Sequence, residues 1–155
     1  MTYTFRRATP SDLHTLAEHR YRMFADMGLP EAQLEDVREA FLPWVEKQMQ
    51  AGTYLTFLAE KDGQVVAGAA LMWMDWPPGP LDARPGRGYL LNVYTHPEHR
   101  KQGLARLLVE QAIQECRERK VKVLSLHASE FGRPIYEKLG FQSTNEMRIH
   151  LGEHS

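Results

Sequence analysis

At 155 residues and 43% hydrophobic content, the chain has material for one packed core, so one domain over residues 1–155 is expected. Charged residues make up 25% and nearly cancel, to a formal net charge of -1, which leaves no global field to draw in nucleic acid or an acidic membrane face. Cys116 is the sole cysteine, which excludes an internal disulfide, and no run approaches the ~20 apolar residues of a bilayer span, so a cytoplasmic location is expected.

The N-terminal stretch alternates polar and apolar residues and lacks the apolar run of a signal peptide. Tyr3 to Ala8 reads as a strand. Thr9, Pro10 and Asp12 then form a helix start. Leu13, Leu16, Ala17 and Phe24 supply the apolar face of that helix, and Gly28 with Pro30 its stop. Leu34, Val37, Phe41 and Val45 recur at helical spacing, which predicts a second helix over about Glu31 to Gln50, kinked or interrupted at Pro43.

From Thr53 the period changes. Thr53 to Glu60 and Gln64 to Met74 flank Asp62-Gly63, the signature of an antiparallel hairpin. Four prolines and three glycines between Asp75 and Gly88 mark a long loop. Tyr89 to Thr95 is strand-like. Leu104 to Lys120 carries one helical stripe of Ala105, Leu108, Val109, Ala112, Ile113 and Cys116. Val121 to Ala128 reads as a strand, Arg133 to Leu139 as a short helix closed by Gly140, and Phe141 to Leu151 returns to β character. The order implies an α/β fold with a mixed sheet.

The segment from Leu90 to Ala105 passes from a strand through a basic loop into a helix. The first turn of a helix leaves backbone N–H groups without internal partners, and the helix dipole adds roughly half a positive charge there, so the junction suits a phosphate. Gly103 has no side chain to obstruct those groups, and Ala105 is nearly as small; Arg100, Lys101 and Arg106 add charge. The three-glycine dinucleotide fingerprint and the NTPase loop are both absent.

What is present, Arg100-x-x-Gly103-x-Ala105, resembles the acetyl-coenzyme A signature [QR]-x-x-G-x-[GA] of the GNAT superfamily of N-acetyltransferases. Its context agrees: Val93-Tyr94-Thr95-His96-Pro97 precedes it, a long helix follows, and Val121 to Ala128, Tyr136 and Gly140-Phe141 come in the family's order. Arg6 to Leu13 looks like the usual opening of the family's first strand into its first helix. The resemblance implies a GNAT-like α/β fold, with a mixed, mostly antiparallel sheet of six or seven strands and about four helices. It also implies transfer of an acetyl group from acetyl-CoA to a primary amine by direct attack in a ternary complex.

By the same resemblance, backbone groups of Val93, Tyr94 and Thr95 hold the pantetheine arm like an added strand, and Arg100, Lys101, Gln102, Gly103, Leu104, Ala105 and Arg106 form the pyrophosphate loop. Tyr136 matches the tyrosine that protects or protonates the departing sulfur. Ser129 stands where many members carry a cofactor-contacting asparagine. A second reading, a GNAT-like module that binds CoA and regulates a partner without catalysis, shares the same loop.

Deprotonating an amine of pKa near ~10.4 at neutral pH costs about 4 to 5 kcal/mol, so a proton acceptor is needed. Asp75, Tyr89, His127 and Glu130 are candidates near strand ends, and water is another. The resemblance places the acceptor among the first two helices, the second and fourth strands and the final hairpin. Glu31, Glu35, Asp36 and Glu39 either attract a cationic amine or form a solvated face. Tyr54, Trp73 and Trp76 either line an aromatic pocket or pack. No metal is expected, because Pro97 prevents a helical His96-x-x-His99 pair and a third ligand is missing. Polyamine, amino acid, antibiotic and protein amine all remain open as acceptors, and so does a homodimer.

Overall fold

The structure is a computed structural model that describes residues 2–152. A strand β1 (Thr4–Arg7) leads through a 3-10 turn at Pro10–Asp12 into helices α1 (Leu13–Asp26) and α2 (Glu31–Gln50). The hairpin β2 (Tyr54–Lys61) and β3 (Gln64–Met74) follows, then β4 (Arg87–Thr95), a 3-10 turn at Pro97–His99, α3 (Leu104–Glu118), β5 (Leu124–Leu126) and α4 (Arg133–Lys138). The strands form one five-stranded sheet in chain order. The first four strands pair antiparallel, and β4 pairs parallel with β5.

Helices cover both faces. On one, α3 buries Leu104, Leu108, Val109, Ala112 and Cys116 against Ala69, Leu71 and Leu90, with Tyr136 of α4 in the same cluster. Leu104 is more deeply buried than Ala105, so the stripe of α3 is turned slightly from the expected one. On the other face, Leu16 and Ala17 of α1 join Phe41 and Val45 of α2 over Tyr54, Leu58 and Ala70. Burying a side chain of Leu, Phe or Val size stabilises by about 1.5–3 kcal/mol, and this explains why α2 runs through Pro43 unbroken. Its apolar contacts on both sides of the proline offset the ~3 kcal/mol that an interior proline costs.

Two expectations need correction. The expected strand over Val121 to Ala128 shrinks to Leu124–Leu126, because only those residues lie in register with Gly88 to Leu90. Phe141 to Leu151 forms no strand, so the sheet has five strands rather than six or seven. Met147, Ile149 and Leu151 have the period-two spacing of a strand, but they are 93%, 75% and 85% exposed and meet no partner edge among the described residues. Alternation makes a strand only where an edge and a core are in reach.

The start of α1 is fixed by charge. Asp12 is buried, accepts two 2.8 Å hydrogen bonds from the Arg6 guanidinium, and accepts a third from the Thr9 backbone N–H. The Arg6 hydrogen bonds pull its pKa from 3.8 down to about 2. A carboxylate depressed in the folded state contributes stability above its unfolded pKa and loses it as pH falls through the folded one. Wild type should therefore exceed Asp12→Asn in unfolding free energy, with the gap shrinking by about 2 kcal/mol between roughly pH 5 and pH 2. Urea melts of both proteins across that range check it; a constant gap would contradict the depressed pKa.

Candidate functional site

The site begins where β4 and β5 part. Gly88, Tyr89 and Leu90 pair with Leu124, Ser125 and Leu126, and β5 then ends. On that side, β4 from Leu91 to Thr95 has no neighbouring strand among the described residues. Its other side departs from regular register too: Gly68 faces Tyr94 while Ala70 faces Leu91, so three steps on β4 match two on β3. The extra residue is accommodated at Asn92, whose φ of 53° lies in the left-handed region that asparagine tolerates. A bulge beside an unpaired edge leaves backbone N–H and C=O groups free for a ligand.

Beyond Thr95 the chain turns through Pro97–His99 into the basic loop. Gly103 caps α3 with φ 78°, and a Cβ added there would meet nothing within 4 Å. The space beside Gly103, at the start of a 15-residue helix whose first N–H groups have no partner within the helix, is therefore open. Leu104 is buried and anchors the first turn in the core, while Lys101, Gln102 and Gly103 are exposed. Lys101 has no ion-pair partner among the described residues. Arg100 and Arg106 are engaged, at 2.8 Å with Asp26 and 2.9 Å with Glu110. Such exposed pairs are worth about 0–1 kcal/mol, little enough to be exchanged for a phosphate. Open space, helix start and cations together fit a pyrophosphate.

Tyr136 lies in the α3-side core, 9% exposed, with its ring edge-on to Phe141 at 5.8 Å. Burial pushes its pKa up, so its hydroxyl stays protonated at neutral pH. That hydroxyl has no hydrogen-bond partner among the described residues. Ser129 is exposed, and its Oγ accepts the Gly132 N–H at 3.1 Å, a local turn bond at the start of α4.

The opposite face of β4 carries a polar chain within an apolar wall. Arg20 Nη1 donates to Asn92 Oδ1, and Asn92 Nδ2 donates to the Tyr54 hydroxyl at 2.9 Å. Phe24 and Phe41 stack against the Arg20 guanidinium, and Phe41 and Trp44 surround Tyr54. Burial raises the Tyr54 pKa. Behind them His19 packs 5.0 Å from Tyr94, neutral because burial lowers its pKa to about 4. The absence of a side chain at Gly68 makes that room, since a Cβ there would lie 3.2 Å from His19 Nδ1.

Two of the four proton-acceptor candidates come together. The Tyr89 hydroxyl contacts His127 Nδ1, and Arg148 contacts His127 Nε2. Asp75 and Glu130 are exposed and stand apart. The aromatic trio is split: Tyr54 lies on the α1–α2 face, Trp73 packs on the α3 face with Arg119 over its ring, and Trp76 stacks on Arg87 in the loop. Glu31, Glu35, Asp36 and Glu39 are all exposed along α2, the solvated alternative. His99 is tied to the Tyr3 hydroxyl at 3.0 Å, and no metal-capable cluster of three or more acidic, His or Cys side chains occurs among the described residues.

Sequence reading missed Asn92 and Arg20. Both left a signal: Asn92 interrupts an apolar strand, and Arg20 falls on the same helical stripe as Leu13, Leu16, Ala17 and Phe24.

The Acetyltransferase (GNAT) family pattern matches residues 13–141. The chain is 30% identical to the [Ribosomal protein bS18]-alanine N-acetyltransferase of Escherichia coli K12 over 126 residues, 77% of this chain and 78% of that protein. It superposes with a TM-score of 0.93 on a GCN5-related N-acetyltransferase from Ralstonia eutropha JMP134, at 32% identity, covering 97% of this chain and 99% of that one. A predicted acetyltransferase from Clostridium acetobutylicum, solved with acetyl-CoA, gives a TM-score of 0.90 at 30% identity, with 97% of each chain covered. The chain belongs to the GNAT acetyltransferase family and is an acetyl-CoA-dependent N-acetyltransferase.

Proposed function

We propose that the chain works as one cytoplasmic catalytic unit in which the unpaired edge of β4 receives the pantetheine arm and the start of α3 receives the pyrophosphate. The observation that carries this is the continuity of the two features, an open backbone edge over Leu91 to Thr95 leading directly to the uncovered helix start at Gly103. Val93, Tyr94 and Thr95 offer the backbone groups, the Thr95 carbonyl only when it is released by Arg100 Nε, which donates to it at 2.9 Å. Arg100, Lys101, Gln102, Gly103, Leu104, Ala105 and Arg106 form the phosphate cradle, and Ser129 is a further contact to the cofactor. No helix among the described residues is long and apolar enough to cross a membrane, and the single cysteine is buried.

Bound acetyl-CoA supplies an acyl group activated as a thioester. The amine lone pair attacks the carbonyl carbon; the C–N bond forms, the C–S bond breaks, and the electron pair leaves on sulfur. Tyr136 gives that sulfur its phenolic proton and recovers one from solvent, to which the amine releases its surplus proton. Burial keeps Tyr136 protonated until it is used. Tyr89, His127 and Arg148, which touch in a row, orient groups beside the acceptor.

Saturating acetyl-CoA is expected to raise the melting temperature by mass action, and a screen of diverse amines to reveal thiol release. No shift and no heat of binding would refute the site. A shift with no thiol release for any amine would favour the non-catalytic module.

A further inference from the structure

Most arginines in this protein have a carboxylate partner: Arg6, Arg7, Arg22, Arg38, Arg84, Arg100, Arg106 and Arg119 each do. Arg20 does not, although it is set between two aromatic rings of the α1–α2 face. Its guanidinium lies 4.9 Å from the Phe24 ring centre and 5.3 Å from that of Phe41, and it donates only from Nη1, to the neutral Oδ1 of Asn92. A cation in apolar surroundings without a counter-charge is costly, and burial accordingly lowers the Arg20 pKa. Arginine stays charged regardless.

The two unused nitrogens are open to approach. Arg20 is only partly exposed, yet neither Nε nor Nη2 belongs to the sealed, unpartnered polar atoms, which among the described residues are confined to Arg38, Thr56, Trp73 and Arg87. Nε and Nη2 form the fork edge of a guanidinium that grips a carboxylate with two parallel hydrogen bonds. Asn92, which holds the other end of the guanidinium, is the bulge residue of β4. An anion on the Arg20 fork would therefore lie close to the strand along which the acyl group is proposed to arrive.

We infer that Arg20 anchors a carboxylate on the acceptor, so that the preferred substrates are small amines bearing a carboxylate a few bonds from the nitrogen, the chemistry of amino acids. This rests on the acetyl-transfer site proposed above at the β4 edge. The rings of Phe24 and Phe41 on which the guanidinium lies lower the local dielectric and strengthen the pair. Arg20, not the acidic row of α2, then sets specificity.

The test compares thiol release by the wild-type protein with a panel of amino acids, their carboxamides and the corresponding decarboxylated amines. We expect kcat/KM for the best amino acid to exceed that of its carboxamide by about 10- to 100-fold. Arg20→Met keeps the apolar volume and removes the charge; it should raise the acceptor KM by a similar factor, abolish the preference over the carboxamide and leave the acetyl-CoA Kd unchanged. The melting temperature of the variant reports its folding, and the wild-type panel stands without it. Equal or better use of carboxamides or uncharged amines by wild type would overturn the proposal and leave the acetyl-transfer site intact. Failure of the whole panel, together with failure to bind acetyl-CoA, would overturn both.

Discussion

Gly103→Glu is expected to weaken acetyl-CoA binding by about 100-fold while the protein still folds. At φ 78° any side chain carries strain of about 1–2 kcal/mol, so Gly103→Gln, with the same bulk and strain and no charge, is the control. In the free protein glutamate should be no worse than glutamine, because a negative charge at a helix start gains about 0.3–1 kcal/mol from the dipole. With a pyrophosphate nearby the sign reverses. Two unit charges roughly 5 Å apart at an effective dielectric near 20 repel by about 3 kcal/mol, which corresponds to about two powers of ten in Kd. The same charge is thus expected to help the empty fold and oppose the ligand. Titration calorimetry of both variants, with melting curves alongside, measures the two effects, and raising the salt should narrow the gap between the Glu and Gln proteins. Equal affinities would place the phosphates away from α3.

Much of this site was legible because its parts are local. The anion loop needs only a strand, a glycine with positive φ and a helix, all within Leu90 to Ala105, and their order is written in consecutive residues. Helices α1, α2 and α3 followed their apolar spacing for the same reason. What consecutive residues do not record is partnership. Leu124 to Leu126 pair with Gly88 to Leu90, and β5 stops short of the bulge at Asn92, a feature of the β3–β4 register. Met147, Ile149 and Leu151 repeat with strand periodicity, yet their pattern does not say whether an edge awaits them.

The acceptor side was the least legible part for a related reason. The residues proposed for it, Arg20 with its hydrogen-bonded neighbours Asn92 and Tyr54, come from α1, β4 and β2 and meet only after the sheet has formed. Trp73 and Tyr54 look alike as strand aromatics, but they project from opposite faces of the hairpin, so one packs under α3 and the other under α2. Parity along the strand separates them once the faces are known.

Tyr136→Phe is expected to lower kcat by about 10- to 100-fold with little change in acetyl-CoA affinity. The ring fills the α3-side core beside Phe141, and phenylalanine preserves that packing. Only the hydroxyl is lost, and it has no hydrogen-bond partner among the described residues, so the fold should be nearly indifferent. General-acid catalysis typically contributes ~10²- to 10⁴-fold, and a thiolate whose conjugate acid has a pKa near ~8.5 is already a tolerable leaving group, which puts the effect at or below the lower end. Because burial raises the Tyr136 pKa, the acid form persists across neutral pH. Wild-type kcat should therefore show no loss of acid function until the pH is above 10, the ordinary tyrosine value. The decisive comparison is a leaving-group series: acyl thioesters of more acidic thiols, which need no proton, should restore the Phe variant toward wild type. An equal deficit with every thiol, or an unchanged kcat where chemistry limits turnover, would make Tyr136 a packing residue of the α3 face; a lost acetyl-CoA affinity with normal kcat would make it a binding one.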